Sequence, residues 1–89
     1  MHTYEIMPSL QQVLHKLSKK DKLTYERVLK KIEEIITSLD VEHYKNLRYD
    51  MKDKKEVHVG SFVLVFKFIK EKDRIIFLDF DHHDNIFGK

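Results

Sequence analysis

Cysteine is absent from the 89-residue chain, which excludes a disulfide framework, a thiolate metal site and a cysteine nucleophile. Long apolar runs are absent too: the longest, Phe62–Phe66, has five residues, against roughly 20 needed to cross a bilayer. The first residues show no cationic segment followed by an apolar stretch, so the expectation is a soluble, cytoplasmic protein with no membrane partner. Proline and glycine are scarce, with Pro8, Gly60 and Gly88 alone. No linker, repeat or low-complexity tract divides the chain, and residues 1–89 are expected to form one domain whose elements are joined by short turns. An excess of one charge is also missing. Seventeen Lys and Arg stand against fifteen Asp and Glu, a formal +2, too little for a generic polyanion binder.

What charge there is lies unevenly. Lys16–Lys31 holds seven cations and two acids, Lys45–Lys55 five cations and two acids, and Asp79–Asp84 is locally acidic, so a polarised surface is expected. Hydrophobic residues make up 42% of the chain and aromatics 11%, enough for one small core despite 36% charged residues.

Periodicity orders the elements. Thr3–Met7 alternates, which predicts a short strand, and Pro8 suits the first turn of a following helix. Leu10, Val13, Leu14 and Leu17 keep helical spacing, which breaks at Ser18–Asp21 and resumes through Leu23, Val28, Leu29, Ile32, Ile35, Ile36 and Leu39. These are two amphipathic helices in a hairpin. Leu47–Met51 reads as a short strand, and strands are predicted at Glu56–Val59, Phe62–Ile69 and Arg74–Asp81. The order β-α-α-β-β-β(-β) makes an α+β fold.

Alternation also predicts faces. In Arg74–Asp81 the row Ile76, Leu78 and Phe80 is assigned to the helices, leaving Ile75, Phe77, Asp79, Asp81 and, if the strand continues, His83 opposite. Val57 and Val59 likewise face the helices and His58 the uncovered side, so His58 and His83 look the same way. Phe62–Phe68 is apolar on both faces, as suits a central strand. His82 stands beside His83, and a shift of one residue exchanges their faces.

Two imidazoles on one face suit RNA cleavage. One group takes the ribose 2′-OH proton, another protonates the leaving 5′-oxygen, and cations hold the phosphate charge. Histidine serves either role near neutral pH, its reference pKa being about 6.5. Lys45, Arg48, Lys52, Lys54 and Lys55 are candidate phosphate ligands, and Phe87 can stack on an unpaired base.

At these residues a family likeness emerges. Glu56-Val57-His58-Val59, the run Phe62–Lys67, and His83-Asp84-Asn85-Ile86-Phe87-Gly88 resemble the second half of RelE-type toxins, most closely the YafQ branch. With the helical N-terminal half in the expected order, the likeness spans nearly the whole chain. It implies an antiparallel-rich twisted sheet with the helical hairpin on one face and an open face for RNA. It further implies a small endoribonuclease that cuts mRNA in the ribosomal A site by metal-independent acid–base catalysis, without a cofactor, and is silenced by a cognate antitoxin whose helical segment wraps the toxin. His58, His83 and Phe87 match the family's catalytic positions, and Phe62 an aromatic of its RNA-binding surface. The chain departs from the pattern at Val63, where other members carry arginine, and at Ser61, where the YafQ branch carries an acid.

Plainer readings stand beside these. His58 can be a polar residue on an uncovered strand face, His83 and Phe87 can merely cover the end of the sheet, Lys45–Lys55 can be an exposed loop, and Phe62 and Phe66 can be core. His2, His15 and His43 read as surface residues. Asp79, Asp81 and His83, with His58 near, also form a conceivable divalent-metal set. The alternative function is a non-catalytic or ParE-like toxin acting through protein binding, which the missing arginine at Val63 favours.

Overall fold

The computed structural model describes residues 2–48 and 51–88, and of Arg48, Met51 and Lys52 the backbone alone; Arg48 and Lys52 as phosphate ligands therefore lie outside the described side chains. Strand β1 (Thr3–Ile6) leads into helix α1 (Pro8–Lys20), where Pro8 takes the first position at no hydrogen-bond cost. Asp21 alone makes the hairpin turn. Its N–H donates to the Leu17 carbonyl, closing α1, and its side chain accepts the Thr24 N–H at 3.2 Å, opening α2 (Lys22–Ile36). Those bonds from Thr24 hold the Asp21 carboxyl below its usual range.

A 3₁₀ turn at Val41–His43 precedes β2 (Asn46–Arg48), β3 (Met51–Val59), β4 (Phe62–Ile69), β5 (Arg74–His82) and a short helix α3 (His83–Phe87). The sheet order is β1-β5-β4-β3-β2, with β1 parallel to β5 and the other pairs antiparallel. Gly60, at φ 60°, makes the two-residue turn between Val59 and Phe62, a left-handed position that favours glycine. The α+β architecture with a helical hairpin on one face is as expected. The structure differs in this region and at the C-terminal end: β2 covers Asn46–Arg48 rather than Leu47–Met51, β3 starts at Met51 rather than Glu56, so the described part of Lys45–Lys55 lies mostly in two strands rather than a loop, and α3 is an added helix. Charged residues in β3 hide its alternation, and such residues are tolerated near a sheet edge. Among the described residues no helix is long and apolar enough to cross a membrane.

Leu10, Leu14, Val28, Ile32 and Ile35 of the hairpin pack on Val59, Leu64, Phe66, Ile75, Phe77 and Phe80. This corrects the faces assigned to β5. Ile75 and Phe77 are fully buried against the helices, whereas Ile76 and Leu78 lie outside that core. The cause is a β-bulge: Val65 pairs with Asp79 and Phe66 with Phe77, leaving Leu78 unpaired and shifting the alternation by one. Without it, burying Ile75 and Phe77, worth about 1.5–3 kcal/mol each, would send Asp79 and Asp81 into the same core in place of Phe80. Unpaired buried carboxylates cost several kcal/mol each. The bulge lets Ile75, Phe77 and Phe80 all go inward while both aspartates stay on the other face.

Candidate functional site

The face away from the helices carries Glu56 and His58 from β3, Val63 and Val65 from β4, and Asp79 and Asp81 from β5. Val63 and Val65 are buried and form an apolar floor, over one end of which α3 packs. A cleft of about 320 Å³ opens there, walled by Glu56 and His58 on one side, His83 and Phe87 on another, and Lys45, Asn46 and Leu47 at the rim.

Three rings meet in this cleft. The His58 and His83 centroids lie 5.6 Å apart with planes 29° from parallel, and Phe87 lies 4.7 Å from His83 and 6.5 Å from His58. His83 and Phe87 sit four residues apart on α3, a spacing that puts both on one helix face. Both imidazoles are about half exposed, so a ligand can reach them. The shared orientation of His58 and His83 is therefore as the alternation predicted. The row that was to carry His83 outward was mis-phased, however, and it is the bulge and α3 that bring it there.

His82 has a different task. Its Nδ1 accepts the Asp84 N–H at 3.2 Å, capping α3, and its ring meets Phe62 edge-on at 5.7 Å. His83, not His82, joins His58.

Glu56 is the residue that the sequence reading missed. Its side chain is only 5% exposed, and Oε1 lies 3.0 Å from His58 Nε2, within ion-pair reach though off hydrogen-bond angles. Among the described residues Oε1 has no hydrogen-bond partner. An unsatisfied buried carboxylate oxygen is costly, and this one lies beside an imidazole in the cleft wall. The signal was present, since Glu56 shares the period-two row of His58.

The cationic residues divide. Lys45 is exposed at the cleft rim. Lys54 lies on the same face but borders a second hollow beside the cleft. Lys55 is corrected: it is buried on the helix side, where Nζ donates to the Glu42 carbonyl at 3.3 Å, the Tyr44 carbonyl at 3.0 Å and Asn46 Oδ1 at 3.1 Å. All three ammonium protons are spent, so Lys55 holds the rim segment instead of a phosphate. Tyr44 braces the same segment, donating to Glu34 Oε2 at 2.6 Å; burial and that carboxylate push its phenol up to about 12. Phe62 is also corrected, because it stacks on Phe80 at 5.1 Å on the helix side of the sheet and packs against the core. As for metal ligation, among the described residues no three His, Asp or Glu side chains converge as a set.

The family model described as the ParE toxin of the type II toxin-antitoxin system parDE matches residues 4–87. A Methanocaldococcus jannaschii protein that carries the toxin name RelE4 is 52% identical over 90 aligned positions, covering 100% of this chain and 94% of its own. The isolated Escherichia coli RelE toxin superposes with a TM-score of 0.74 at 18% identity, covering 92% of this chain and 84% of its own. RelE toxin from the E. coli RelBE toxin–antitoxin complex gives 0.73 at 19%, with 92% and 96% covered. At those identities the solved structures speak for the fold, while the family model and the archaeal relative speak for descent. The chain belongs to the RelE/ParE family of type II toxin–antitoxin toxins.

Proposed function

We propose that this toxin is a ribosome-dependent endoribonuclease of the YafQ-like branch, cutting mRNA in the A site. The observation that carries the reading is the stacked pair His58 and His83 at 5.6 Å, with Phe87 alongside, in a cleft reachable by one phosphodiester. Glu56 beside Nε2 of His58 favours the tautomer protonated there and leaves Nδ1 as the free lone pair. His58 is then the base and His83 the acid. His58 removes the 2′-OH proton, O2′ bonds to phosphorus as the P–O5′ bond breaks, and His83 protonates O5′, leaving a 2′,3′-cyclic phosphate and a 5′-hydroxyl. The anion beside His58 stabilises the imidazolium as it forms. Phe87 offers a face on which a base can stack, and Lys45 at the rim balances phosphate charge.

E. coli RelBE is a toxin–antitoxin complex, and for this chain the fitting partner is a cognate antitoxin whose helical segment wraps the toxin. Ribosomes then place the action in the cytoplasm. A second reading, a ParE-like toxin acting by binding a protein, is favoured by Val63, an uncharged, fully buried residue between His58 and Asp81 on the cleft floor.

Programmed ribosomes incubated with purified toxin, with cuts mapped by primer extension, decide between them. The wild type is expected to cut within the A-site codon, His58→Gln and His83→Gln each to lose roughly 10²–10⁴-fold, and Glu56→Gln about 10²-fold or less. Growth arrest that persists in His83→Gln without any mRNA cut would establish the protein-binding reading instead.

A further inference from the structure

Beside the proposed catalytic cleft lies a second hollow of about 520 Å³, adjoining it at Leu47, which lines both. Helix α3 divides the two: His83 and Phe87 face the cleft, and Asn85 borders the hollow. The hollow has an apolar floor made by Val65 and by Leu78, the residue that the bulge leaves unpaired. Around it stand three polar groups. Asp79 Oδ1 accepts the Phe80 N–H at 2.8 Å, which orients the carboxylate and leaves its remaining acceptor capacity outward. Asn85 Nδ2 donates to Asp81 Oδ1 at 3.0 Å, leaving the amide oxygen as an acceptor. Lys54 supplies a donor on the β3 side.

We infer that this hollow seats a guanine base of the substrate, next to the scissile phosphate, with Asp79 as its specificity-determining residue. The inference rests on the ribonuclease reading for its substrate but concerns different residues. An apolar floor accepts the face of any base, so selection falls to the edge. Single-stranded bases are read on their Watson–Crick edge. Guanine presents two adjacent donors, N1–H and the N2 amino group, to the Asp79 carboxylate, and its O6 acceptor to the Lys54 ammonium. Adenine and cytosine place a ring-nitrogen acceptor against the carboxylate, which repels it, and uracil has one donor between two acceptors. Only guanine matches an acceptor-rich edge with one flanking cation. The bulge builds this seat: in an unbroken β5 the neighbours Leu78 and Asp79 would face opposite sides, so either the floor or the carboxylate would be lost to the helix side.

The test uses the intact ¹⁵N-labelled toxin and 2′-O-methyl trinucleotides, which lack the attacking hydroxyl, with each of the four bases at each position in turn. Guanine at one position is expected to bind about tenfold tighter than the other bases there, shifting the Val65, Leu78, Asp79 and Asn85 amides. Asp79→Asn keeps the oxygen that accepts the Phe80 N–H, and is expected to remove the preference while shifts at His58 and His83 persist. Equal binding of all four bases, or a guanine preference retained in Asp79→Asn, would overturn the inference. Guanine selectivity in a toxin that cuts no mRNA on the ribosome would leave the seat standing and remove the ribonuclease reading; cutting without guanine preference would do the reverse.

Discussion

Replacing Lys55 with methionine separates an internal anchor from a phosphate ligand. Its ammonium donates to two carbonyls and an amide oxygen at 3.0–3.3 Å and is almost fully buried. Hydrogen bonds from a charged group contribute about 1.5–3 kcal/mol each, so three near the lower end amount to about 4.5 kcal/mol. Against this, methionine removes an ammonium whose desolvation opposes folding by about 2 kcal/mol or more. The unbranched methionine stem keeps the packing beside Val57 and Val59, so little apolar contact is lost. The net loss expected is about 2–3 kcal/mol, or about 10–20 °C in the unfolding midpoint of a domain this small. Thermal and urea unfolding followed by circular dichroism measure it, with ribosomal cleavage normalised to folded protein in parallel. Lys45→Met is the counterpart: exposed at the cleft rim, it is expected to shift stability by no more than about 0.5 kcal/mol while weakening cleavage. An unchanged midpoint in Lys55→Met together with lost cleavage would refute the anchoring argument and return Lys55 to the phosphate.

Deleting Leu78, the unpaired residue, leaves Phe77 and Asp79 as neighbours in one unbroken alternation that keeps Ile75, Phe77 and Phe80 inward and their β4 partners unchanged; a loss under about 1 kcal/mol is expected in urea unfolding, and a loss of about 3 kcal/mol or more would show that the phase of β5 is not set by this one residue. His2 supplies a pH-dependent tie, since its ring bonds to Asp73 and to the Ser38 carbonyl at 2.6 Å, and those two acceptors raise its pKa above the ordinary 6.5. A raised folded value means that the protonated ring favours the folded state, fully below pH 6.5 and progressively less as pH rises through the folded value. The stability gap between wild type and His2→Gln should therefore be widest near pH 5.5 and narrow by pH 8, about a unit either side of histidine's range; a gap that widens with pH would contradict this.

Some of the molecule is legible in its residues alone. Leu10, Leu14, Val28, Ile32 and Ile35 recur at helical spacing over two long segments, and burial of that stripe leaves α1 and α2 few alternatives. The β3 row is equally local: Val57 and Val59 must go inward, so His58 must go outward. The same rule places Lys55 inward with the valines and Glu56 outward with His58. The fate of both was thus readable in principle, although a lysine in an apolar row invites the assumption that it escapes to water. Helix α3 was beyond reach because five residues are too few for a 3.6-residue period to declare itself.

What the sequence by itself determined is the set of faces that each uninterrupted element must bury, since apolar spacing is a property of neighbours along the chain. Tertiary structure decided the phase of β5, the three oxygens that hold Lys55, and the meeting of His58 with His83 and Phe87. Each depends on groups far apart in sequence. The bulge at Leu78 forms because Phe77, Phe80 and the two aspartates cannot all be satisfied in one alternation against β4. That conflict exists only once the sheet has a covered face and an uncovered one, and its resolution shapes the open face on which the cleft of His58 and His83 and the proposed guanine seat lie.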